Sequence, residues 1–241
     1  MKVGKVNIIS VVRVVAHFFN VSDTVIPKIC TPMQLHSPEI LDAIALQMGN
    51  SFMADPMFSA QMEGISQREK LLKAHARLSL KHSRKIGALH MLNNDPRAIM
   101  LAFDSQKNSK LREMTTLVKT LGISFFILGF KDVRQFFRNM KPLNKILNFT
   151  WHKEFIRGRH YRVKVISIDK SLRGTGAFRR LLTPALEYAD REGIPMVLET
   201  HNPSNVGLYE HFGFELVKTI SSPETPVQQY CMIRKPVEPQ T

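Results

Sequence analysis

The sequence predicts a single mixed α/β domain over residues 25–236, and three observations point to it. Apolar residues at helical spacing, such as Ile40, Leu41, Ile44, Ala45 and Met48, alternate along the chain with short apolar runs of strand length, such as RAIMLAFD and PMVLE. With 241 residues, 44% hydrophobic and 22% charged, the chain has the length and composition of a folded globular protein. Neither an internal repeat nor a low-complexity tract interrupts it. Residues 1–24 read as an N-terminal extension and residues 237–241 as a short tail.

The elements follow in order. Ser37 offers a cap and Pro38 a first-turn proline, so a helix is expected over about 38–53. Ser66 with Glu69 three residues later has the form of a capping box, which predicts a second helix over about 66–83. KIGALHML and RAIMLAFD flank Asn93, Asn94, Asp95 and Pro96, and this turn chemistry joins them as an antiparallel hairpin. His75, His82 and His90 have no carboxylate or cysteine at ligand spacing and read as ordinary histidines. Two or three helices are expected between 108 and 148, burying Phe136, Phe137, Leu143, Ile146 and Leu147.

Residues 160–169 alternate as a strand and lead directly into SLRGTGAFRR. Its two glycines let the backbone approach a ligand, and a helix starting there points free N–H groups and a positive dipole end outward, an arrangement that binds phosphate. The helix of Phe178, Leu181, Leu182, Ala185, Leu186 and Ala189 should stop at Gly193 and kink at Pro184. After it come a buried strand (194–201), a short helix in VGLYEHF ending at Gly213, and two strands, ELVKTI and VQQYCMIRK.

The succession VISID, RGTGAF, LET, HNPSNVGLYEHFGFE over about residues 160–220 resembles the acetyl-CoA-binding half of GNAT-superfamily N-acetyltransferases. LTP, VLET, LYEHFGF and CMIRKP bring it nearest to the puromycin N-acetyltransferase type, and SFMADPMF is similar to that group's first-helix ending. The resemblance implies a central, mostly antiparallel twisted sheet, splayed at the acetyl-CoA site and flanked by helices. It also implies a cosubstrate, acetyl-CoA, and transfer of its acetyl group to a primary amine of a small molecule. The backbone of Ile166, Ser167 and Ile168 would then pair with the pantetheine arm. Amides of Gly174, Thr175, Gly176, Ala177 and Phe178 would hold the diphosphate, with Arg173 at the rim. Phe178 departs from the family pattern, so its ring should point away from the phosphates, toward the core or the adenine side. Asn202 and Asn205 match coenzyme A contacts or loop anchors; without the resemblance they read as helix-cap residues.

Tyr209 matches the family tyrosine that protonates the departing thiolate. Read as a residue alone, it packs beneath Phe212 and Phe214. Glu199, His160 and His201 are the candidates for the general base, and Glu199 has pairing with a nearby arginine as its other role. An amine arriving partly deprotonated needs no base. Other readings of the chain are a coenzyme A-binding sensor without turnover, or transfer to a protein or nucleic-acid-linked amine.

Net charge is +14, and from Lys131 to Lys164 ten Lys and Arg face only Asp132 and Glu154. Such a run attracts polyanions or serves as a solvated basic face, and a nucleic-acid-binding protein is the rival class, although no recognition motif supports it. The same charge leads us to expect a neutral or weakly basic acceptor, or an amine carried on an anionic molecule. Cys30 and Cys231 form no ligand or disulfide pattern, which argues for no metal, no cysteine nucleophile and a cytoplasmic location. The 10-residue run LGISFFILGF is short of the ~20 that span a bilayer. Arg13 and His17 break the apolar run behind Lys2 and Lys5 that a signal peptide would need. No membrane association is expected, and the protein should be a monomer or homodimer.

Overall fold

A computed structural model of the chain describes residues 38–107, 118–119 and 122–237. The expected extension 1–24, the Ser37 cap, Cys30 and the tail beyond 237 lie outside the described residues. Helices α1 (Pro38–Met53), α2 (Pro56–Gln61) and α3 (Arg68–Lys85) lead into strands β1 (Leu89–Leu92) and β2 (Asp95–Asp104). Helix α4 (Phe130–Leu143) comes next, followed by β3 (Tyr161–Ile168), α5 (Ala177–Arg191), β4 (Met196–Thr200), α6 (Ser204–Glu210), β5 (Glu215–Ser222) and β6 (Thr225–Arg234). A further helical stretch covers 122–127.

The six strands make one sheet in the order β1-β2-β3-β4-β6-β5. Every neighbouring pair is antiparallel except β3 and β4, which the crossover through α5 makes parallel. This is the mostly antiparallel, helix-flanked α/β sheet expected from the sequence. Alternate residues of β2 serve its two faces, as strand geometry requires. Met100 and Ala102 pack with Leu181, Leu182 and Ala185 of α5, whereas Ile99 and Leu101 pack with Ile44 and Met48 of α1 and Leu80 of α3. Each such fully buried Leu, Ile or Met stabilises the fold by roughly 1.5–3 kcal/mol over leaving it exposed. A third cluster joins Met57 and Phe58 to Phe136, Met140, Leu143 and Ile146, while Phe137 and Leu147 are only half-buried.

The hairpin turns on Asn93 and Asn94, at φ 50° and 59°, as a two-residue connection with both central residues left-handed requires. Helix α5 stops as expected at Gly193, left-handed at φ 62°, and runs through Pro184. The capping box is corrected. Helix α3 starts two residues later, and its N-cap, Gln67, makes no side-chain cap bond. The backbone N–H groups of Ser66 and Gln67 instead donate to Asp132 Oδ2 of α4, at 3.1 and 3.3 Å, and the Ser66 hydroxyl donates to the same oxygen. A carboxylate is a stronger acceptor than the serine hydroxyl and complements the helix dipole, so a tertiary cap displaces the local one.

Candidate active site

β3 and β4 pair at only two positions, Tyr161 with Met196 and Arg162 with Val197. Beyond them β3 keeps its ladder to β2 as far as Ile168, and β4 keeps its ladder to β6 as far as Thr200. The register slips opposite Leu101 and Ala102, with Lys164 the extra residue on β3, and a bulge of this kind bends its strand. The two parallel strands therefore diverge into a wedge, and from Val163 onward β3 has no β4 partner. A cavity of about 540 Å³ fills the wedge, lined by Val165, Ile166, Ser167 and Ile168 on one side and Glu199, Thr200 and His201 on the other. Ser51 of α1 closes the floor through a 2.8 Å hydrogen bond to the Ser167 hydroxyl.

The glycine-rich turn follows β3. Asp169 accepts from Ser171 N at 2.8 Å, a 3₁₀ turn spans Lys170–Leu172, and α5 begins at Ala177. Gly174 and Gly176 sit at φ 75° and 76°, where other residues are strained, and a Cβ on either would meet nothing within 4 Å. Gly174, Thr175 and Gly176 are exposed, and the first-turn amides of α5 have no partner within the helix. Lys170 and Arg173 reach the cavity; Gly174, Thr175, Gly176, Ala177 and Phe178 lie outside its lining, in the turn beside it. The ring of Phe178 packs against Phe212 at 5.2 Å and Tyr209 at 6.0 Å, turned to the core side as expected.

Tyr209, on α6, is 9% exposed and lines the cavity. Burial first, and then the Asp55 charge, push its phenol up to about 12. Asn202 and Asn205 also line the cavity, yet their side chains serve the loop: Asn202 Oδ1 accepts from Ser204 N at 3.0 Å and Asn205 Nδ2 donates to Thr200 Oγ1 at 3.2 Å. Asn202 thus shapes the turn ahead of α6, whose N-cap, Pro203, has no side-chain cap bond, and Asn205 ties the helix to the end of β4.

Of the three proposed bases, Glu199 lines the cavity and is paired with an arginine. Its Oε1 accepts from Arg162 Nη2 at 2.7 Å and its Oε2 from Trp151 Nε1 at 3.1 Å, with the Arg162 and Glu199 side chains 6% and 4% exposed. Both oxygens are therefore already engaged in holding Trp151 and Arg162. His160 lies away from the wedge, its ring 4.7 Å from that of His152 and its Nδ1 on Gly158 O. His201 does line the cavity, and burial pushes its imidazole below the usual range, opposed by the charges of Asp55 and Glu199. Cys231 is buried, and burial pushes its thiol up to about 12, far from the reactive thiolate state.

The residue that sequence reasoning missed is Asp55. It lines the cavity together with Tyr209 and His201, about 150 residues away along the chain. Burial pushes its carboxyl up, opposed by His201 and by hydrogen bonds from the N–H groups of Phe58 and Met57. Its signal was the Asp-Pro step of MADPMF, which marks a helix start, but nothing local tells a cap from a cap that also faces a cleft. Among the described residues, no group of three His, Cys, Asp or Glu is placed to hold a metal, and no helix is long and apolar enough to cross a membrane.

A wedge between parallel strands, with a glycine-rich turn at its mouth, is the architecture of GNAT acetyltransferases, and residues 142–214 match the acetyltransferase (GNAT) family. Among curated proteins, an uncharacterized N-acetyltransferase of Schizosaccharomyces pombe is 32% identical over 75 residues. That match spans 30% of this chain and 30% of the relative. Two solved structures share the fold. A histone acetyltransferase HPA2 and related acetyltransferase from Corynebacterium glutamicum aligns with TM-score 0.52 and 17% identity over 92% of this chain and all of its own. Arylalkylamine N-acetyltransferase 2 from Aedes aegypti aligns with TM-score 0.52 and 16% identity over 83% of this chain and 95% of its own.

Proposed function

We propose that the protein moves an acetyl group from acetyl-CoA directly to a primary amine of a small molecule. The observation that carries this reading is the unpartnered β3 edge from Val163 to Ile168, opening on the phenol of Tyr209. An extended arm with amide groups fits that edge as a further strand would, pairing with the backbone of Ile166, Ser167 and Ile168. The amides of residues 174–178 and the charges of Lys170 and Arg173 suit the diphosphate of the same molecule. Bound there, acetyl-CoA supplies an acetyl thioester, which is already activated toward an amine.

The chain's own contribution is placement and proton transfer. The wedge orients the two reactants, its backbone N–H groups polarise the carbonyl, and Tyr209 protonates the departing thiolate. Neither a covalent enzyme intermediate nor a cysteine takes part. The test is incubation of the full chain with acetyl-CoA and a panel of primary amines while free thiol is followed. Puromycin belongs in the panel because of the LTP, VLET, LYEHFGF and CMIRKP segments. Thiol release matched by acetylated amine is expected; acetyl-CoA bound tightly with no thiol released across the panel would overturn the reading.

A further inference from the structure

The acceptor side of the cavity contains chemistry that the acetyl-transfer reading does not use. Asp55 stands between α1 and α2, and its Oδ1 accepts from Met57 N at 3.0 Å and Phe58 N at 3.3 Å. These two bonds fix the carboxylate and leave its second oxygen for another partner. No lysine or arginine among the described residues forms an ion pair with it. Of the cavity's other ionisable groups, Glu199 is held by Arg162, Lys164 lies over the Phe103 ring, Asp169, Lys170 and Arg173 belong to the glycine-rich turn, and His201 acts on Asp55 through its charge. A half-buried carboxylate of this kind is stabilised by a cation brought to it. Beside it, Phe52 and Phe58 stack with centroids 4.6 Å apart and planes 18° from parallel, and with Met57 they line the same cavity.

We propose that Asp55 anchors the ammonium of the acceptor, and that the stacked rings of Phe52 and Phe58 select an amine carried on an aromatic or other flat apolar body. The inference deepens the acetyl-transfer reading and rests on it. It also reverses the expectation from net charge, because the acceptor meets a carboxylate and aromatic rings although the chain as a whole is basic. In the reaction, the ammonium gives one proton to Asp55, and the freed lone pair forms the C–N bond as the C–S bond breaks. Tyr209 protonates the departing thiolate and is restored by the proton that the nitrogen loses on becoming an amide. Asp55 releases its proton to solvent through the open cleft, one proton per turnover.

Kinetics on the full chain at saturating acetyl-CoA, with 2-phenylethylamine, n-hexylamine and spermidine as acceptors, test the proposal. The aryl amine should exceed both others in kcat/KM by about 10-fold or more, the discrimination that a shaped apolar pocket supplies. Asp55→Asn should lower kcat/KM for 2-phenylethylamine by roughly 100-fold, as loss of a buried charge partner does, while acetyl-CoA affinity stays within about twofold. Asparagine retains an oxygen for the Met57 and Phe58 amides, so the fold should stand. Phe52→Leu should cut the aryl-over-hexyl preference to about threefold or less by removing the flat ring face. An Asp55→Asn enzyme close to wild type on the aryl amine, or a wild-type preference for spermidine, overturns the proposal. Should no amine be acetylated, calorimetric titration of 2-phenylethylamine into the protein reads the anchor alone. Binding lost in Asp55→Asn then keeps the site while the transfer reading falls, whereas equal binding, or none in wild type, sinks the site.

Discussion

Burial withholds solvent from the Tyr209 anion, which keeps the phenol protonated and makes its proton transfer depend on close placement against the departing thiolate. With the phenol held near pH 12, the group stays protonated throughout the working range, so no alkaline fall in kcat should trace to it below about pH 10. Tyr209→Phe removes only the hydroxyl and keeps the packing against Phe178 and Phe214. Thiol release should drop by roughly 10²–10⁴-fold, with acetyl-CoA affinity and thermal midpoint unchanged. Glu199 should behave in the opposite way. Glu199→Ala strands the Arg162 guanidinium in the interior, at a cost of about 3–5 kcal/mol, while Asp95→Ala at the exposed Arg97 pair should cost no more than ~1 kcal/mol. Thermal denaturation of the two variants side by side checks this. That Tyr209 lines the cleft was legible in the sequence because LYEHFGF is a contiguous signal. Asp55 was not, because its meaning depends on a neighbour that only folding supplies. Glu199 stood in between: the sequence offered both roles, and the arginine of the pairing role, Arg162, lies 37 residues away.

At the scale of elements, sequence periods and turn residues placed the strands and the longer helices, but missed the short helix α2 and read Asp95 and Pro96 of β2 as turn. The hairpin, helix α5 and its stop at Gly193 depend on contacts within a few residues, which a linear reading captures. The start of α3 was missed because its cap comes from Asp132, 66 residues downstream. Helix α5 also sets a test of the glycine-rich turn. Gly176→Ala puts a Cβ into open space, so its cost is that of the left-handed backbone alone, about 1–2 kcal/mol. Denaturation should show a thermal midpoint lower by a few degrees. A coenzyme A titration of the same variant should show affinity reduced several-fold, because relaxing that strain re-aims the amides at the start of the helix.

For the molecule as a whole, the basic run divides between surface and interior. The run from Lys131 to Lys164 reads as a surface for polyanions or as a solvated basic face, and the fold buries only a small part of it. Arg159 pairs with Asp104 and Glu192 and Arg162 with Glu199, whereas Lys145 meets Glu224 on the exposed surface. Acid stability depends on a different set of groups. Burial holds His75 and His90 down to about 4, against an ordinary value of 6.5. Between those two values the unfolded chain binds more protons than the native one, so stability falls as pH drops from 6.5 toward 4. The loss is on the order of 3 kcal/mol for each histidine. Urea midpoints taken at pH 7.5 and 4.5 should differ accordingly, and His75→Gln with His90→Gln should shrink the difference, leaving the share of His152, also held at about 4 by burial. The two-pair contact between β3 and β4 bears on the entire sheet. It divides the strands into two trios, β1-β2-β3 and β4-β6-β5, stitched together at one end of their common seam. A guest lying in the open end works as a splint for both trios at once. Acetyl-CoA should therefore slow amide exchange in β2 and β6 in concert, although neither strand touches it.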